Sequence, residues 1–88
     1  DDEPSLSRAY VSSVNTAFAA LGARGVTLVF ASGDSGVGGD AGCGSNGQFV
    51  PSFPASSPFI TACGGTTMEK PFERPPEVCW SGSGGGFS

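Results

Sequence analysis

The chain has 88 residues, of which 14% are charged, against roughly a quarter in ordinary soluble domains. Four Lys and Arg against eight Asp and Glu leave a net charge of −4, with no basic cluster to neutralise a row of phosphates, which speaks against nucleic acid as a partner. No apolar run is long enough to cross a bilayer, and no charged start followed by an apolar stretch and a cleavage site marks a signal peptide.

A domain this small has a high surface-to-volume ratio and needs polar cover, yet glycine and serine stand where lysine and glutamate are expected. Together with a start at "DDEP" and a stop inside "SGSGGGFS", this composition predicts a fragment of a larger fold or a processed chain. It carries no separate domains. Three cysteines, Cys43, Cys63 and Cys79, lack CxxC or finger spacing, so zinc is disfavoured. Their odd number permits one disulfide and one thiol, or a partner outside the chain.

Apolar residues at Leu6, Tyr10, Val14, Phe18 and Leu21 line one helical face and predict a helix over residues 5–24. Pro4 suits its first turn, and Arg24 with Gly25 suits its end. "VTLVFAS" follows, β-branched and aromatic without alternation, as expected of a strand buried on both faces. A helix followed by a buried strand predicts one unit of a parallel α/β sheet, with the helix packed on an inner strand at residues 26–31. From Gly33 to Pro58 the chain is a long Gly/Ser/Pro-rich loop, interrupted at Pro51, Pro54 and Pro58; loops of that length are usually functional or disordered. "FITACGGTT" reads as a second short strand, "MEKPFERPPE" as a surface turn and "VCWSGSGGGFS" as a third extended segment. No internal repeat is present.

The chain contains no histidine, which excludes a Ser-His-Asp or Cys-His catalytic pair within it, because both need imidazole to take the nucleophile's proton. "GCGSNG" at 42–47 has the letters of a dinucleotide fingerprint, but it follows a loop and runs into "QFVPSFP", where no helix opens. Asp34 and Asp40 in "DSGVGGD" lack the further acids and closing Glu of a calcium loop. "GGTTM" at 64–68 carries Thr66 and Thr67 without a base and reads as a strand end. What remains is Asp34, a lone carboxyl at the carboxyl end of a predicted parallel strand, where open α/β sheets hold their ligands. A turn aspartate accounts for it equally well.

"ARGVTLVFASGDSGVGG", "FVPSFPASSPFITACGGTT" and "SGGGFS", preceded by "DDEPSLSRAYVSSVN", closely resemble the sedolisin family of serine-carboxyl peptidases and span nearly the whole chain in that family's order. The resemblance implies an α/β fold, part of a subtilisin-like parallel sheet, with residues 1–88 forming part of a catalytic domain. It implies an acid-acting serine-type peptidase, releasing tripeptides or cutting internally, that is secreted, lysosomal or vacuolar. The Asp of "SGDSG" is that family's oxyanion-hole residue, which assigns the role to Asp34. A carboxylic acid donates a hydrogen bond to an oxyanion only while protonated, in keeping with work at acid pH.

The family's glutamate base, its supporting aspartate, the "GTSA"-type serine and the calcium-site acids all lie outside these residues. Calcium is therefore expected of the complete family domain, and no metal or cofactor of this chain. Ser35 lacks the nucleophile's flanking motif. The family's "SGGG" run implies backbone contact with a peptide at Ser83, Gly84, Gly85 and Gly86, where glycine allows close approach; a plain strand end accounts for the run nearly as well. Cys43 is placed like the family's disulfide cysteine. Cys63 replaces a small or branched apolar residue, Cys79 lies in a variable stretch, and no bridge is assigned. The expected partners are a peptide or protein substrate and the remaining chains of the same parent. The competing reading, from a different class, is a non-catalytic fragment acting as a binding protein.

Overall fold

The computed structural model describes residues 1–38, 47–68 and 76–85. Asp40, Cys43, Gly86, nearly all of the "GCGSNG" run and most of the expected surface turn lie outside them. A 3-10 turn at Glu3–Ser5 precedes helix α1, Arg8–Ala23. Four short strands follow: β1 Val29–Ala31, β2 Thr61–Cys63, β3 Thr66–Met68 and β4 Glu77–Cys79. The described fold is mixed α/β, with two two-stranded sheets ordered β1-β2 and β3-β4.

The helix begins later than its apolar spacing predicts. Pro4 is used in the 3-10 turn, which leaves Leu6 extended (φ −97°, ψ 148°) and gives the N-cap to Ser7. The Ser7 hydroxyl accepts the Tyr10 N–H at 3.2 Å, satisfying one of the donors that a helix start leaves unpaired. The far end matches expectation. Gly25 takes φ +80°, its N–H donates to the Gly22 carbonyl at 3.0 Å, and the Val26 N–H donates to Leu21 at 3.1 Å. That double bond around a left-handed glycine is a Schellman stop, and it turns the chain straight into β1.

β1 pairs with β2 in parallel, Val29 opposite Thr61, Phe30 opposite Ala62 and Ala31 opposite Cys63. The Thr61 N–H to Leu28 and the Ser32 N–H to Cys63, each 2.9 Å, extend the ladder at both ends. The expectation of a strand buried on both faces does not hold here: Val29 is 61% exposed and Phe30 is half-buried. Only one layer covers this sheet among the described residues.

α1 packs on the sheet through Phe18, whose ring lies 5.5 Å from Phe30 and is stacked on Phe53 at 6.3 Å. Tyr10 meets Phe53 edge-on at 6.3 Å. Phe53, 6% exposed, is the buried hydrophobic residue among those described, and it comes from the segment that composition marks as a loop. The amino terminus holds that segment. Glu3 N–H donates to Pro51 at 2.8 Å and Phe53 N–H to Asp1 at 2.9 Å, while the Ser56 hydroxyl donates to the Glu3 carboxylate. Ser57 is buried but satisfied: its hydroxyl donates to Asn15 Oδ1 at 2.6 Å and accepts from the Phe59 N–H at 3.3 Å.

The "FITACGGTT" segment is two strands rather than one. Gly64 and Gly65 break it, so Thr66 and Thr67 open β3 instead of ending β2. β3 pairs antiparallel with β4, Thr66 opposite Cys79 and Met68 opposite Glu77, and the Thr66 hydroxyl donates to the Glu77 carboxylate at 2.7 Å. Cys63 and Cys79 thus belong to different sheets, and both are free and exposed.

Candidate functional site

The chain leaves β1 through Ser32, which still donates to Cys63, and then meets two residues that require glycine: Gly33 at φ +95° and Gly36 at φ +60°. Backbone of that hand is strained for other L-residues and open to glycine. Between these two turns Asp34 and Ser35 are carried outward at the carboxyl end of the parallel pair. Both are exposed. The Asp34 carboxyl has no hydrogen-bond partner among the described residues.

The segment after β4 closes on this turn from the other side. Ser83 N–H donates to Trp80 at 3.1 Å, folding residues 80–83 back, and Gly84 N–H donates to the Gly33 carbonyl at 2.8 Å. Gly36 N–H answers with a bond to Gly82 at 3.2 Å. Asp34, Ser83, Gly84 and Gly85 are thereby brought together from two stretches of chain. Gly86 lies outside the described residues. The polar groups of this run are largely engaged within the chain, since Ser83 Oγ accepts from the Gly65 N–H at 2.6 Å. Gly85 is exposed, with open space where a Cβ would stand.

Gly84 is the close-packed member. A Cβ added there would be driven into the Ser32 carbonyl oxygen, which is backbone and cannot swing aside. Gly84→Ala is expected to break the bond to Gly33 and release the Asp34 turn, costing about 1–3 kcal/mol as overpacking does. Urea unfolding of Gly84→Ala beside Gly85→Ala, which meets nothing, measures this; equal midpoints would show that the contact is not needed.

Beside the turn lies a cleft of about 290 Å³, whose wall includes Ser32, Gly36, Phe49, Val50, Gly64 and Gly84. Its surface is mixed, apolar from Phe49 and Val50 and polar from backbone and serine. The Ser32 hydroxyl is shielded from solvent and bonded to nothing among the described residues. Ser32, Phe49 and Val50 are not singled out by sequence reasoning. "ASGD" reads only as a strand end, and the loop that supplies Phe49 has no periodicity to point it anywhere.

Chemically, the arrangement offers one exposed carboxyl beside a half-open, partly apolar cleft. With no histidine in the chain, an acyl-transfer reaction would need its base from elsewhere. No family model matches this chain. Curated relatives do. Tripeptidyl-peptidase 1 of Canis lupus familiaris is 56% identical over 91 aligned positions, that of Bos taurus 55% and that of Homo sapiens 54%. Each match takes in 100% of this chain, and the chain spans 16% of the length of each of these relatives.

Proposed function

This chain belongs to the sedolisin family of serine-carboxyl peptidases, and from that premise we propose that it supplies the oxyanion-stabilising carboxyl, Asp34, of an acid-acting peptidase. The substrate is a peptide or protein, cut so as to release tripeptides, as the relatives' name says of them. The observation that carries the reading is the position of Asp34: exposed at the carboxyl end of the parallel pair, on a turn fastened by Gly84 N–H to Gly33 O at 2.8 Å.

When a nucleophile attacks a peptide carbonyl, the carbonyl oxygen gains negative charge. A hydrogen-bond donor already aimed at that oxygen lowers the barrier, because it needs no reorganisation at the moment of reaction. A carboxyl group is such a donor only in its protonated form, which accords with the proposed action at acid pH. The nucleophile, its glutamate base and the supporting aspartate come from residues outside these 88, and β1 and β2 become neighbouring strands of a subtilisin-like sheet. Among the described residues no three His, Cys, Asp or Glu side chains gather to hold a metal ion. Calcium belongs to the proposed complete family domain, and no step here passes through it. The proposed setting is a lysosomal, vacuolar or secreted enzyme; no helix among the described residues is long and apolar enough to cross a membrane.

The test is to exchange these 88 residues for the matching stretch of human tripeptidyl-peptidase 1 and assay tripeptide release at acid pH. The chimera is expected to retain activity within about tenfold, a barrier change of roughly 1.4 kcal/mol. A folded chimera with no turnover would overturn the proposal and leave a binding fragment as the reading.

A further inference from the structure

The expectation at Ser83 concerns its backbone; its side chain bonds within the chain. Its hydroxyl accepts the Gly65 N–H at 2.6 Å and donates to the Gly65 carbonyl at 3.3 Å. The same carbonyl accepts the Trp80 N–H at 3.0 Å. A side chain on Gly64 or Gly65 would meet the Ser83 hydroxyl at 3.3 or 3.4 Å, so the glycine pair leaves the space that the hydroxyl uses. We infer that Ser83 is a positioning residue for Asp34: it ties the segment after β4 to the Gly64–Gly65 break and so holds Gly84 against Gly33.

The connection runs through adjacent links. The two sheets share no ladder; they meet at Gly64 and Gly65, which join β2 to β3 along the chain. Ser83 bonds to that junction from the far side of β4. The next residue, Gly84, donates to Gly33, and the residue after Gly33 is Asp34. Without the hydroxyl, residues 82–85 keep, among the described residues, only the bonds from Ser83 N–H to Trp80, Gly84 N–H to Gly33 and Gly36 N–H to Gly82. The Asp34 turn is then free to shift by a fraction of its own width. A misplacement of about 1 Å in a reacting constellation costs on the order of 10²-fold in rate.

This inference rests on the proposed role of Asp34, and its test separates the two. In the chimeric peptidase described above, Ser83→Val and Ser83→Thr have the same shape and differ only in the hydroxyl. Ser83→Val and Ser83→Ala are expected to lower kcat by about ten- to a hundredfold with KM little changed, and Ser83→Thr to restore most of the loss. Because Ser83 acts through Asp34, adding Ser83→Val to Asp34→Ala should cost almost nothing further, the non-additivity expected of coupled residues. A rise in KM alone would make Ser83 a substrate contact and overturn the inference, as would losses that simply multiply in the double variant. So would a Ser83→Thr protein that fails to fold alongside Ser83→Ala. Amide exchange at Gly65 and Gly84 reads the tie without catalysis: faster exchange in Ser83→Val than in Ser83→Thr upholds it even if Asp34→Ala leaves kcat intact, the result that would sink only the role of Asp34.

Discussion

Asp34→Ala in the complete peptidase is expected to lower kcat by on the order of 10²–10³, about 3–4 kcal/mol, while moving KM little. The split follows from when the interaction forms. A ground-state carbonyl carries little charge for the Asp34 proton to stabilise, whereas the tetrahedral oxyanion carries nearly a full one, so the lost bond is felt in the transition state. Asp34→Asn sharpens the result. An amide is a donor as the protonated acid is, so this variant is expected to keep part of the rate. Rates measured across pH for parent, Ala and Asn decide the matter. A kcat for Asp34→Ala within about threefold of the parent, under roughly 1 kcal/mol, would make Asp34 a turn residue. Complete loss in a folded Asp34→Asn would show that donation alone is not its role.

The second large effect is on stability. Phe53 is 6% exposed and touches both Tyr10 and Phe18 of the helix, and Phe18 in turn touches Phe30 of β1, so the helix, the loop and the sheet meet in one aromatic cluster. Replacing a buried Phe by Ala costs about 3–5 kcal/mol, part from lost transfer energy and part from the cavity left behind. Whole domains are stable by only about 5–15 kcal/mol, and a fold with one covered sheet face stands at the low end of that range. Phe53→Ala is therefore expected to unfold the chain or to bring its urea midpoint close to zero denaturant, with loss of the helical signal in far-ultraviolet circular dichroism. Phe49→Ala is the matched control, because Phe49 is 72% exposed and its removal should change stability by about 0.5 kcal/mol or less. Equal midpoints for the two variants would show that the aromatic cluster does not hold the helix to the sheet.

These outcomes depend on features of different range in the chain. The helix stop at Gly25, the turn at Gly33 and the placing of Asp34 just past β1 were legible in the residues, because each is decided by a few neighbours: a left-handed glycine, a β-branched run and its end. The parallel pairing of the two short strands was legible for a related reason, since a helix leading straight into an apolar strand leaves few other arrangements. The helix start was misplaced by a local competition, Pro4 forming a 3-10 turn and Ser7 the better cap.

Tertiary structure alone decided the rest. Nothing near Phe53 marks it as core; it is buried because the amino-terminal backbone bonds to the loop around it and α1 lies across it. Ser57 is satisfied by Asn15, 42 residues away, and Ser83 by Gly65, 18 residues away. A hydroxyl has no periodicity and pairs with whatever donor or acceptor the folded backbone brings within about 3 Å. For that reason the letters of the "SGGG" run carry a family resemblance and no more, while the direction its serine faces, toward Gly65, was settled only when β3 and β4 paired and the two glycines were set beside it.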